Sequence, residues 1–349
     1  MSKPKRKIKL NYSKHSDSMI LEQLNKIPNN ELIGRLETMN KTSLEKSDKL
    51  NILFPHVDDP DFNAKLVNKK EFNDLKTDTN LYDVEERSNQ LCGDKKHFEL
   101  LPHQQFVKNF LSSQTPYNGL LLFHGLGTGK TCSGISIAEE MRNYLKQMGI
   151  NKRIIIVASP NVQENFKLQL FDKRNLTNIN GIWNLESCTG NKFLKEINPM
   201  NMKGLNKENI EKLVKRIINK NYLFMGSEQF SNYIYRTITR EGEPGKKRVD
   251  MSEAEQVKAL KREFSNRLVI IDEIHNIKTV KDIPEKKTTQ NILKLVTHAD
   301  NLKMLLLSAT PMFNTPEEIV WLLNVLNKND NRSTINPSQV FDKDGNLIV

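Results

Sequence analysis

One stretch, GLLLFHGLGTGKT at positions 119–131, constrains this chain more than any other. Its apolar residues 120–123 read as a short buried strand. The chain then passes Gly125, Gly127 and Gly129 and reaches Lys130 and Thr131, where a helix is predicted to begin. Ala138, Met141, Leu145 and Met148 recur at helical spacing, and Gly149 supplies the stop. Glycines in such a turn let backbone N–H groups converge on a polyphosphate at a helix N-terminus. On this reading Gly125, Leu126, Gly127, Thr128, Gly129, Lys130 and Thr131 form a nucleoside-triphosphate cradle. Lys130 reaches the β- and γ-phosphates, and the Thr131 hydroxyl ligates Mg²⁺. The strict pattern has a glycine where this chain has His124, so that position departs from it.

The rest of the chain has to build a scaffold for that turn. Its 349 residues suffice for one large or two modest domains. No apolar run approaches a membrane span, and MSKPKRKIKL lacks the apolar core of a secretory signal. A formal net charge of +11 favours a polyanionic partner. Cys92, Cys132 and Cys188 are scattered without metal-ligand spacing, which points to a reducing compartment. Cys132 is expected to pack against the sheet.

Strands are expected at 120–123, 154–157, 222–225, 268–271 and 304–307, most of them separated by helical segments. Continuous apolar strands alternating with helices predict an α/β domain whose parallel sheet is covered on both faces. Ligands of such sheets lie outside the carboxyl ends of the strands. The chemically informative residues fall there. In LVIIDEIHNIK a buried strand delivers Asp272, a metal ligand in this reading, and then Glu273, a general base for the attacking water. His275 follows two residues later with a coupling role. After the strand at 304–307 come Ser308, Ala309 and Thr310, small residues able to bridge a cleft. Thr315, Pro316, Glu317 and Glu318 then read as a helix start, with Trp321 as a packing residue.

Before this core, residues 1–18 form a basic arm. Lys3, Lys5, Arg6, Lys7, Lys9 and Lys14 all precede the first carboxylate, Asp17. The arm reads as a phosphate-binding segment, a localisation signal or a solvated tail. Residues 19–98 read as a partly helical extension. Within it Asp58, Asp59 and Asp61 look like a solvated acidic loop rather than a metal site. The core at 99–330 opens with a helix carrying Phe106, Val107, Phe110 and Leu111 on one side. Two insertions interrupt it. One, near 181–219, is polar with an amphipathic helix through Ile210, Leu213, Val214 and Ile217. The other, near 237–262, holds EGEPGKKR as an exposed loop and then a helix through Val257, Leu260 and Phe264. A polar tail, 331–349, closes the chain.

PHQ at 102–104, GLGTGKT, ASPNVQENF at 158–166, DEIH, and SATP followed by N-x-x-E-E-I-V-W-L-L-N resemble the successive motifs of superfamily 2 helicases, nearest the SNF2-like branch. FLSSQTPYNGLLLFHGLGTGKTCSGI, with DFNAKLVNKKEFNDLK upstream, resembles helicase-like ATPases of large cytoplasmic DNA viruses. That group includes the poxvirus early transcription factor small subunit and nucleoside triphosphatase I. The resemblance spans about 54–326 and implies a RecA-like ATP-binding lobe. It further implies that Gln104 contacts adenine and that Ser159 and Pro160 touch a nucleic-acid backbone. His275 and Ser308, Ala309 and Thr310 would couple ATP state to the track. The implied partners are nucleic acid, with DNA favoured over RNA, a second RecA-like lobe in cis or trans, and viral RNA polymerase or other transcription factors. The implied location is the virion or the host cytoplasm, without membrane association. After Leu326 no second lobe is legible, and Arg332 is expected to lie in a tail with no fold to position it. Slow hydrolysis by the isolated lobe follows. Two alternatives stand beside this reading: a P-loop ATPase of another class completed in trans, and a nucleotide-binding interaction subunit without turnover.

Overall fold

The computed structural model describes residues 53–76, 99–125, 127–200, 204–242, 248–274, 283–311, 318–342 and 345–348, with backbone alone for 283–287. The basic arm, Cys92, Leu126, His275, Thr315, Pro316 and Glu317 lie outside the described residues, as do the tip of EGEPGKKR and the helical pattern read before residue 51.

In chain order the elements are helices α1 (Phe62–Val67), α2 (Lys70–Asn73) and α3 (Pro102–Phe110), strand β1 (Gly119–Phe123), α4 (Lys130–Gln147), β2 (Ile154–Val157) and α5 (Pro160–Leu170). Then come β3 (Leu176–Ile179), β4 (Ile182–Leu185), α6 (Lys192–Ile197), α7 (Lys207–Asn221), β5 (Tyr222–Met225), α8 (Ser227–Ile238), β6 (Thr239–Arg240) and β7 (Val249–Asp250). The chain continues with α9 (Glu253–Phe264), β8 (Leu268–Asp272), α10 (Ile283–His298), β9 (Lys303–Ser308) and α11 (Glu318–Asn329). Five strands make one sheet in the order β1-β9-β8-β2-β5, with every pairing parallel.

The sheet is two-sided because its strands are apolar at nearly every position, and successive side chains point to opposite faces. Ile154, Ile156, Leu268, Ile270, Leu305 and Leu307 join one core with residues of α4, α5 and α7. Ile155, Val157, Val269, Ile271, Met304 and Leu306 join the other with α8, α9, α10 and α11. Each fully buried aliphatic side chain is worth roughly 1.5 to 3 kcal/mol relative to exposure. This is the doubly covered α/β sheet of a RecA-like lobe. Trp321 packs against the second core, as its place on α11 suggested.

Residues 53–76 dock on α3 through a smaller aromatic cluster. Leu53, Phe54, Leu66, Phe72 and Tyr117 are buried there, and Phe62, Phe106 and Phe110 pack against them. The Tyr117 hydroxyl donates to the Pro55 carbonyl (2.9 Å), and its ring stacks on Phe110 with centroids 4.5 Å apart.

Two sequence expectations, about Arg332 and Cys132, need correction. Arg332 is held in place: its N–H bonds the Asn327 carbonyl (2.7 Å) and its guanidinium pairs with Asp58. It also lies close to Asp330, which interacts with Lys303 at the start of β9, so it sits near the amino-terminal end of the strands, opposite the glycine turn. The acidic loop is solvent-facing as read: Asp58 and Asp61 are exposed, and half-buried Asp59 pairs with Lys65 Nζ at 2.8 Å. Among the described residues no group of three or more His, Cys, Asp or Glu is placed to hold a metal ion. Finally, Cys132 does more than pack: it is disulfide-bonded to Cys188, 56 residues away in sequence, with Cα atoms 5.2 Å apart.

The first insertion holds more than one helix. A β3–β4 hairpin and α6 precede α7. On α7 the buried face is Ile210, Val214 and Ile218, with Leu213 and Ile217 beside it, of which Ile217 packs against the first core.

Candidate functional site

Register builds the site. Phe123 at the end of β1 pairs with Ser308 at the end of β9, and Leu307 pairs with Asp272 at the end of β8. Three adjacent strands therefore stop at one level. They deliver the glycine turn, Ser308–Thr310 and the Asp272–Glu273 pair to one rim. Val157 pairs with Ile271 and with Met225, so Ser159 with Pro160, and Gly226 with Ser227, extend that rim across β2 and β5.

The turn itself has the backbone that its glycines permit. Gly127 and Gly129 both have φ of +80°, in the left-handed region. At Gly129 sterics add a second requirement, since a Cβ there would come within 2.3 Å of Gln104 Nε2. His124 is not among the residues with positive φ, which is why a non-glycine fits the first glycine position. Thr128 Oγ1 donates to the Gly125 carbonyl (2.9 Å), closing the loop. Lys130 Nζ donates to the His124 carbonyl (3.0 Å), so the ammonium lies across the loop mouth. Thr131 follows on the first turn of α4, half-buried.

Two residues of α3 brace this loop. Gln104, buried, accepts from Leu101 N–H (3.0 Å) and donates to the Gly129 carbonyl (3.4 Å). His103 Nε2 lies 3.2 Å from the Thr128 carbonyl, and its ring meets His124 edge-on at 5.5 Å. His124 Nδ1 is buried without a hydrogen-bond partner among the described residues. Burial, then His103 and Lys130, lower the His124 pKa and hold its ring neutral. Beside the loop Leu75, Pro102, His103, Phe106, Val107 and His124 line a cavity of about 370 Å³.

At the acidic edge Asp272 is pushed up to about 6, first by burial and then by Glu273, against the lowering effect of Lys130. That last influence places the lysine within electrostatic reach of the carboxylate. Glu273 has φ of +49°, uncommon for a side-chain-bearing residue, and its N–H bonds Asp272 Oδ1 (3.0 Å). Such conformations cost roughly 1 to 3 kcal/mol each and cluster at functional sites. Ser308 is fully buried, and its Oγ accepts from Thr310 N–H (3.1 Å). Ile274 N–H bonds the Leu307 carbonyl (3.3 Å), tying the acidic turn to β9. Two adjacent carboxylates and small hydroxyls beside a lysine at a helix N-terminus are groups of the kind that suit a hard divalent cation and a polyphosphate.

Ser159 and Pro160 are exposed at the start of α5, where Gln163 Nε2 donates to the Ala158 carbonyl (2.8 Å). Sequence reading missed their neighbours Gly226 and Ser227, where Gly226 N–H bonds Gln229 Oε1 (3.0 Å) and caps α8. The available signal was a glycine between an apolar strand and a helical pattern. It also missed the contact of Gln104 with the loop, which no spacing reveals.

A parallel α/β sheet with a glycine loop, an acidic turn and a hydroxyl-bearing turn at one rim defines the P-loop class of nucleotide-binding domains. Within that class the SNF2-related domain model matches residues 103–345, and the chain belongs to that family. Curated relatives come from large DNA viruses. Over 300 residues the chain is 28% identical to the helicase-named protein L377 of Acanthamoeba polyphaga mimivirus, covering 81% of this chain and 24% of that protein. It is 29% identical over 237 residues to the helicase-named protein 087L of Invertebrate iridescent virus 3, covering 65% and 20%. It is 24% identical over 303 residues to the early transcription factor large subunit homolog of African swine fever virus (isolate Tick/Malawi/Lil 20-1/1983), covering 72% and 26%. The chain thus spans about a quarter of the length of these relatives.

Proposed function

We propose that this chain is the ATP-binding lobe of a nucleic-acid-dependent ATPase of the translocase type, serving viral transcription. The observation that carries the reading is the shared rim: register alone brings the glycine loop, Asp272 with Glu273, and Ser308–Thr310 to one level on adjacent strands. ATP phosphates enter the cradle of Gly125, Gly127, Thr128 and Gly129, and Lys130 leaves the His124 carbonyl for the β- and γ-phosphates. Thr131 and Asp272 would hold Mg²⁺, which would neutralise charge developing on the phosphates. Glu273 takes the proton of the attacking water. The base occupies the cavity beside His103 and Phe106, within reach of Gln104. Ser159 and Pro160 meet the nucleic-acid backbone, and the turn at Ser308, Ala309 and Thr310 passes ATP state across the rim.

A positioned arginine can be worth about 10³ to 10⁵ in the rate of phosphoryl transfer. Arg332 pairs with Asp58 near the amino-terminal ends of the strands, away from the glycine loop at their carboxyl ends. If the completing arginine comes from outside this chain, the purified chain binds Mg–ATP and hydrolyses it very slowly, with little response to nucleic acid. Adding a second RecA-like lobe, fused or in trans, should restore rate and stimulation, and parallel assays with duplex DNA and RNA would identify the track. Fast, nucleic-acid-stimulated turnover by the chain alone would overturn the single-lobe reading.

A further inference from the structure

We propose that Cys132 and Cys188 form a reversible thiol–disulfide switch that ties the first turn of the phosphate-loop helix to the insertion and so tunes nucleotide binding. The effect on nucleotide rests on the function proposed above; the bond itself does not. Cys132 directly follows Lys130 and Thr131 on α4, and Cys188 lies in the turn between β4 and α6. Their Cα atoms are 5.2 Å apart, a separation that a disulfide spans without backbone movement.

The surroundings suit both redox states. The Gln169 Oε1 acceptor on α5 lies 3.0 Å from Cys188 Sγ and 4.0 Å from Cys132 Sγ, placed for an S–H of the dithiol form. Reduction therefore leaves no stranded polar group at this joint. The turn holding Cys188 is also fastened independently of the bond. Thr189 Oγ1 donates to the Leu170 carbonyl (2.9 Å), and Leu185 N–H bonds Asn191 Oδ1 (2.7 Å). Farther along α4, Arg142 and Lys146 grip Glu196 of α6. Opening the bond thus frees one point, the helix turn that carries the nucleotide ligands, while the insertion stays docked. Cys132 is only half-buried, which gives a small reagent access.

The step is a dithiol–disulfide exchange. Cys132 and Cys188 give up two protons and two electrons to a small-molecule disulfide such as oxidised glutathione, which leaves as two thiols. In reverse, two reduced glutathiones restore the dithiol. The oxidised form holds the turn that Mg–ATP needs in place, so it binds Mg–ATP more tightly. By reciprocity Mg–ATP shifts the exchange toward the disulfide by the same factor.

The test equilibrates the 349-residue chain at one pH across ratios of reduced to oxidised glutathione, then alkylates it and counts adducts by intact mass. With three cysteines in the chain, the reduced form takes three adducts and the oxidised form one, at Cys92. Mg–ATP affinity is measured on both forms. The expected result is a reversible change between one and three adducts, an affinity at least threefold tighter for the oxidised form, and a matching shift of the midpoint by Mg–ATP. Cys188→Ser should still bind Mg–ATP, at the weaker value, with no dependence on glutathione; Cys132→Ser serves if that variant fails to fold. Three adducts at every ratio would overturn the bond. One adduct with equal affinities would overturn the coupling. Absence of nucleotide binding in both forms would defeat the proposed function, while the adduct count would still decide the bond.

Discussion

Asp272 works against the fold at the point where the proposed site needs a charge. Burial and Glu273 hold its carboxyl at about 6, above the ordinary 3.8, so the folded state favours the neutral acid. Its favourable contribution to stability is therefore complete below about pH 4 and lost as pH rises through about 6. The difference amounts to up to about 3 kcal/mol. Asp272→Asn should accordingly raise the melting temperature at pH 8, by several degrees at roughly 2 to 4 °C per kcal/mol, while Mg–ATP binding is lost. For the parent chain, affinity for Mg–ATP should be flat above pH 7 and weaken as pH falls below about 6, because protons compete for the carboxylate. Calorimetry and a titration across pH 5–8 check both halves. The placement of Asp272 and Lys130 at one rim was legible because a strand, a turn and a residue type coincide in sequence. The bracing of Gly129 by Gln104 was not, since it joins residues 25 positions apart through one amide.

At the level of elements, the five sheet strands were legible because each is a continuous apolar run of four residues that ends at a glycine, an alanine or a polar residue, as a strand buried on both faces must read. The β3–β4 hairpin was not. Ile179 and Ile182 point outward at its tip and Asn178 and Asn184 interrupt it, so no period-two face appears. Nor was the polar joint that fixes the insertion. Arg142 makes a bidentate pair with buried Glu139, reaches Glu196 at 2.8 Å, and lies over the Phe193 ring, while the Tyr222 hydroxyl donates to Glu139 Oε1. A helix-period reading of α4 marks its apolar stripe and passes over charges that pair inside. Breaking one partner of a buried pair typically costs about 3 to 5 kcal/mol, because the other charge is stranded. Arg142→Ala should therefore lower unfolding stability by about that much, measured by denaturant titration. An effect below about 1 kcal/mol would mean that the pair is not buried in solution.

For the whole molecule, the excess of cations is a statement about partners rather than fold. If Lys3, Lys5, Arg6, Lys7, Lys9 and Lys14 neutralise phosphates, removing residues 1–18 should weaken nucleic-acid binding. It should also flatten the plot of log affinity against log salt by roughly 0.7 to 0.9 for each phosphate no longer neutralised. Equal slopes with and without the arm would assign it to solvent or to localisation. The central claim, that the loop at the end of β1 is an ATP site completed by residues at the ends of β8 and β9, has a more direct test. Equilibrium binding of Mg–ATP should be measured on the chain and on Lys130→Ala, which removes the ammonium at the loop mouth. The account predicts measurable binding by the parent and at least a tenfold loss in the variant with its melting temperature little changed. Equal affinities in two equally folded proteins would contradict it.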